Sequence, residues 1–161
     1  FKHNADDIAS LVVLTYLLWK QTNGNEEMED PSVAFSRGKI FKRYNQPDKA
    51  IGSMESAIQQ ESSGHRRMLI RSHLSMLYKS KRDWVNAVTV WKEMIDEAVP
   101  FYLLPYVELA KYYEHRIKDI PRAKLVAEMA IERIPPHHTR GIDELQYRLD
   151  RLKKKLKKLD V

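Results

Sequence analysis

His3 and Asp7 stand four residues apart in the stretch Phe1-Lys2-His3-Asn4-Ala5-Asp6-Asp7-Ile8-Ala9-Ser10-Leu11. On a helix that spacing puts both on one face, one turn apart. An imidazole that takes a proton and a carboxylate that holds a cation could then share one substrate. Acidic residues at a helix start also complement the helix dipole without any chemistry, so both readings stand at this point. Nothing later in the chain completes such a site. His65, His73 and His115 are too far apart in sequence to form a recognisable ligand set, and His137-His138 sits in a Pro-bounded loop that reads as a solvated linker. There is no Gly-rich phosphate loop and no Gly-x-Ser-x-Gly elbow.

The elements that would position these residues read as helices throughout. No stretch alternates with period two, and Gly is scarce. The first helix is expected from about Asn4 to Gln21. Its apolar residues Ile8, Leu11, Val12, Leu14, Tyr16, Leu17, Leu18 and Trp19 cover more than one face, which predicts burial on several sides. The apolar run from Ile8 to Trp19 is too short to span a bilayer. The acidic stretch around Glu26-Glu27-Met28-Glu29-Asp30 reads as a linker.

The 161 residues suit one ordinary domain, with 43% hydrophobic and 31% charged residues. The absence of Cys excludes disulfides, thiolate catalysis and Cys-ligated zinc, and fits a cytoplasmic location. The net charge of +6 allows acidic partners, nucleic acid among them, and also serves plain solubility.

After the linker a helix pair recurs about every 36 residues. The second helices carry Ala50, Met54 and Ala57, then Ala87, Trp91 and Met94, then Ala123, Ala127 and Ala130. The first helices carry Gly38 with Phe41, Leu74 and Ser75 with Tyr78, and Leu109 and Ala110 with Tyr113. Small residues let two helices approach, and bulky ones fill the space between them. Asn45-Gln46-Pro47, Arg82-Asp83-Trp84 and Asp119-Ile120-Pro121 are stop-and-start signals within each pair. These marks resemble the tetratricopeptide repeat, with three departures, one being that the first two repeats stand about three residues too far apart. Arg37 stands where Leu is usual, and the third repeat has one extra residue near His115–Asp119, expected to sit in a loop.

The resemblance implies an all-α fold, a right-handed α-α superhelix of three helix pairs plus a C-terminal capping helix and one extra N-terminal helix. The expected parts are a terminal helix at 1–21, a linker at 22–30, repeats at about 31–64, 68–100 and 103–136 within 31–138, and a basic cap at 139–161. In the repeat register, groove-lining positions are Lys39, Lys42, Arg43, Met76, Lys79, Val107, Lys111 and His115. A basic groove suits an acidic peptide or a phosphate backbone, and lysines on a solvated face read the same way. In the last helix Ile142, Leu145, Leu149, Leu152, Leu156 and Leu159 form one stripe, as a solenoid cap or a coiled-coil seam would. Its other faces carry a basic tail, including Arg148, Arg151, Lys154, Lys155 and Lys158.

The opening His3-Asn4-x-x-Asp7, at the start of a long apolar helix, resembles the last motif of ribonuclease H-like, DEDD-type 3′–5′ exonucleases. Bacterial YprB-like proteins join such a domain to tetratricopeptide repeats. The string Leu109-Ala110-Lys111-Tyr112-Tyr113-Glu114-His115-Arg116 also looks like their third-repeat region. The resemblance implies that Asp7 is a ligand of one of two divalent cations (Mg or Mn) and that His3 positions or deprotonates the attacking water. The family's other carboxylates are expected upstream, so no nuclease activity and no cofactor are expected of these 161 residues alone. The expected function is a non-catalytic binding module with a protein or peptide partner, and DNA as a further possibility. The rival readings are a stand-alone scaffold and a homo-oligomerisation module built on the last helix.

Overall fold

The structure is a computed structural model. It describes residues 2–23, 30–97, 101–135 and 139–159, and the side chains of 5–17, 30–97, 101–135 and 141–158. Most of the expected linker, the side chain of His3, the side chains of Leu18 and Trp19, and His137-His138 lie outside the described residues.

The described residues form eight α-helices and one π-helical turn, with no strand among them. They are α1 (Lys2–Asn23), α2 (Pro31–Arg43), α3 (Pro47–Gln60), α4 (Gly64–Ser80), α5 (Trp84–Asp96), α6 (Leu103–Lys111), the π-helical turn (Tyr112–Ile117), α7 (Ile120–Arg133) and α8 (Thr139–Leu159). The described residues are all-α, consistent with a helical repeat. It divides into two compact units, Phe1–Asp83 and Trp84–Val161.

Within the pairs, the repeat marks are the core. Ala50, Ala57, Ala87, Ala123, Ala127 and Ala130 are fully buried, as are Met54 and Trp91. Each large buried side chain of this kind contributes about 1.5–3 kcal/mol. The tightest approach is at Gly38 of α2. A Cβ built there would stand 2.8 Å from Met54 Cγ and 3.2 Å from the Ala50 carbonyl oxygen of α3. Arg37, the departure from pattern, donates from Nε to the buried Ser53 hydroxyl at 3.2 Å, so it ties α2 to α3 by a hydrogen bond.

The turns inside the pairs share one design. Asn45, Arg82 and Lys118 each adopt a left-handed conformation with φ of 55°, 60° and 61°. The next residue's N–H then closes the helix end, Gln46 onto the Phe41 carbonyl at 2.8 Å and Asp83 onto the Tyr78 carbonyl at 2.9 Å. In the third pair the same closure runs from Asp119 N–H to the Tyr113 carbonyl at 2.9 Å, across one more residue. The extra residue is therefore not in a loop, as the sequence suggests. It is taken up inside the helix by the π-helical turn, which keeps Tyr113 and Lys118 in their repeat positions. Asp119 then caps α7, accepting the Arg122 N–H at 2.9 Å.

Two further expectations are corrected or sharpened. Over its described side chains, helix α1 is not buried on several sides. Val13 is covered, but Ile8, Leu11, Val12 and Leu14 are each more than half exposed. The helix meets α2, where Asp6 pairs with Arg43 at 3.6 Å, and this contact leaves its apolar face open. In α8, Leu145, Leu149 and Leu152 are buried within the second unit, with Leu152 packed on Ile120, Ala123 and Ala127 of α7. These three leucines are spent inside the second unit, as those of a cap would be, and Leu156 is partly buried against the same cluster.

Candidate binding surfaces and the opening motif

The groove positions fall in two sets, one in each unit. In the first unit Lys39, Lys42 and Arg43 are exposed on α2, and Met76 and Lys79 are half-buried on α4. Phe35 of α2 joins the two helices on this side. The His73 ring of α4 meets it edge-on at 5.3 Å, and Lys39 Nζ lies 5.0 Å from its centroid. Burial lowers the pKa of His73, and the positive charges of Lys42 and Lys39 lower it further. His73 is therefore held neutral beside two lysines, and this face of α2 and α4 presents positive charge over an aromatic floor. At one end of the same face, Pro31, Phe35, Arg66 and Leu69 line a cavity of about 230 Å³. Behind the face, the Tyr78 hydroxyl donates to Glu55 of α3, which, together with burial, raises its pKa above the ordinary tyrosine value.

In the second unit the groove set is less open. Val107 is largely buried, with 9% of its surface exposed. Lys111 Nζ is engaged by Glu108 at 3.1 Å. His115 remains exposed, with Nε2 3.4 Å from Glu114 Oε2.

Glu114 was not picked out by sequence reasoning, yet it meets four cationic or basic side chains, Arg148, Arg151, Lys155 and His115. The π-helical turn points its carboxylate at α8, where the side chain is fully buried. It accepts from Arg148 Nη1 at 3.2 Å, Arg151 Nη2 at 2.6 Å and Lys155 Nζ at 2.7 Å. Burial alone pushes the Glu114 pKa up. The hydrogen bonds from Lys155 and Arg151, with the charges of Arg151 and His115, outweigh burial and hold the carboxyl below the usual glutamate range. The expected basic tail thus divides. Arg148, Arg151 and Lys155 turn toward Glu114, whereas Lys154 and Lys158 are exposed. Elsewhere in the unit, Met94, Phe101, Tyr102, Tyr106 and Arg133 line a cavity of about 470 Å³. Arg133 closes one side by donating to the Ile95 carbonyl at 3.1 Å and the Tyr106 hydroxyl at 3.2 Å.

The opening motif is positioned by the first turns of α1. Asp7 is exposed there, and its neighbour Asp6 is drawn to Arg43. Among the described residues no group of three His, Cys, Asp or Glu side chains could hold a metal ion. One exposed carboxylate does not make the donor set that a pair of hard cations needs. No described helix is long and apolar enough to cross a membrane.

The chain is 29% identical over 155 residues to YprB, an uncharacterized protein of Bacillus subtilis strain 168. The match takes in 95% of this chain and 37% of YprB, so the chain spans little more than a third of that relative's length. No family model matches the chain.

Proposed function

We propose that the chain is a non-catalytic binding module of the tetratricopeptide-repeat type, the C-terminal part of a bacterial ribonuclease H-like 3′–5′ exonuclease. The observation that carries this reading is the open apolar face of α1. Ile8, Leu11, Val12 and Leu14 are more than half exposed on a helix whose exposed Asp7 belongs to the exonuclease-like motif. A helix of that composition is stabilised by an apolar surface laid against it. In this reading the surface belongs to a nuclease domain, and α1 brings Asp7 into its site as a ligand for divalent cations, with His3 beside it. The similarity to just over a third of a longer bacterial protein supports the same arrangement.

The helix pairs then supply binding. In the first unit the face built from Phe35, Lys39, Lys42 and His73 suits an acidic partner segment, which it would hold close to the nuclease. The buried α8 stripe weighs against the homo-oligomerisation reading.

The test is a pair of substitutions, Leu11→Asp and Val12→Asp, made in both the 161-residue chain and the longer protein. In the shorter chain both positions are exposed, and stability should stay within about 0.5 kcal/mol. In the longer protein the same changes should uncouple α1 from the nuclease domain and expose both to proteolysis. Equal tolerance in the longer protein would refute the docking of α1.

A further inference from the structure

One flank of α8 carries Tyr147, Arg151, Lys154, Lys155 and Lys158. At about 100° per residue these positions fall in a single sector of the helix, and residues four apart stand about 6 Å apart along its axis. Glu114 lies at the base of this flank. It holds Arg151 and Lys155 through one hydrogen bond each, while their side chains remain 38% and 43% exposed. A guanidinium has five N–H donors and an ammonium three, so both groups keep donors beyond those spent on Glu114. The single carboxylate is shared by Arg148, Arg151 and Lys155, which leaves positive charge in excess there. Lys154 and Lys158 extend that charge along the exposed surface. Tyr147, 71% exposed, begins the strip one turn before Arg151. Glu144 ends the strip on the N-terminal side, and Asp150, at its edge, accepts from Gln146 at 3.2 Å.

We infer that this strip binds single-stranded nucleic acid, with the cations on successive phosphates and Tyr147 stacked on a base. The inference rests on the reading of the chain as a binding module, not on its link to a nuclease. Arg151 with Lys155, and Lys154 with Lys158, form two rows spaced about 6 Å along the axis, an interval comparable to that between the charges of a polyanionic strand. Glu114 fixes two of them before the ligand arrives, so less side-chain freedom is lost on binding. An exposed aromatic beside the cations favours a strand whose bases are free to stack. A bilayer is disfavoured, because the apolar residues Leu145, Leu149 and Leu152 are turned into the core and cannot insert.

The experiment is fluorescence anisotropy of a labelled oligothymidylate of about twelve nucleotides, titrated between about 50 and 200 mM salt. Four phosphate contacts predict a slope of log K against log salt near about −3. Lys154→Gln with Lys158→Gln should reduce the magnitude of that slope by about 1.4. Tyr147→Ala should weaken binding about tenfold and leave the slope unchanged. Lys153→Gln with Lys157→Gln removes the same charge from the other flank of α8 and should change affinity less than about twofold. All five positions are exposed, and circular dichroism checks that each variant keeps its helix content. The inference is overturned by equal losses in the two lysine pairs, by no binding at the lowest salt, by polyglutamate competing as well as the oligonucleotide, or by a duplex binding as tightly as the single strand. The assay uses no catalysis, so failure of the nuclease reading leaves its outcome intact.

Discussion

Arg151 Nη2 lies 2.6 Å from Glu114 Oε2, joining the last helix to a π-helical turn that exists to absorb one extra residue. With Arg148 and Lys155 on the same carboxylate, the contact latches α8 onto the second unit. Removing the carboxylate strands buried positive charge, since Arg148 is 10% exposed. Glu114→Ala should cost about 3–5 kcal/mol. Denaturation followed through the fluorescence of Trp84 and Trp91, both in this unit, measures it. Wild-type stability in that variant would mean the latch is idle.

Acid should weaken the same latch. The folded-state pKa of Glu114 lies below its ordinary value of 4.5, so its stabilisation is present above that value and is lost as pH falls through the lowered one. Amides of α8 should lose hydrogen-exchange protection as pH drops from about 4.5, after correction for the intrinsic exchange rate. In Glu114→Gln that acid step should be absent.

The first unit should respond to pH in a different window. His73 has a folded-state pKa below the ordinary 6.5, because burial, Lys42 and Lys39 all oppose its charge. As pH falls through 6.5 the unfolded chain takes up a proton first, so stability falls until the lowered value is passed. Hydrogen exchange of α4 amides should show this decline, and His73→Gln should flatten it.

The two helical glycines of the first pair should behave oppositely. Gly52→Ala enters open space and should stabilise by about 0.5–1 kcal/mol through helix propensity. Gly38→Ala meets Met54 Cγ and the Ala50 carbonyl, where the neighbours are buried and cannot simply swing away. Overpacking of about 1–3 kcal/mol should outweigh the same propensity gain. Thermal melts of the two variants on one background decide the signs.

Much of the fold was legible because it depends on local marks. Ala50, Ala87 and Ala123 recur where helices touch, and all are fully buried. The turn signals before Pro47, Trp84 and Ile120 stand where α3, α5 and α7 begin. The π-helical turn was not legible, since one extra residue fits a loop or a helix equally well until Asp119 is seen bonding back to Tyr113. Glu114 was missed for a related reason. Its partners lie more than thirty residues away on α8, and the pairing depends on where that helix docks. The available signal was one acid within Tyr-Tyr-Glu-His-Arg, facing a helix whose Arg148, Arg151 and Lys155 flank the leucine stripe. Helix α1 shows the opposite limit. Apolar residues on more than one face announce a covering surface without saying which one, and among the described side chains of α1 most of that face stays open.

The central claim is that this chain binds and that its first helix completes a nuclease elsewhere in a longer protein. The most direct measurement is digestion of 3′-ended single-stranded DNA in the presence of divalent cation, by the 161-residue chain, the longer protein, and the longer protein with Asp7→Asn. The account predicts no digestion by the chain, digestion by the longer protein, and its loss on Asp7→Asn. Undiminished digestion by the Asp7→Asn protein, or digestion by the chain alone, would contradict it.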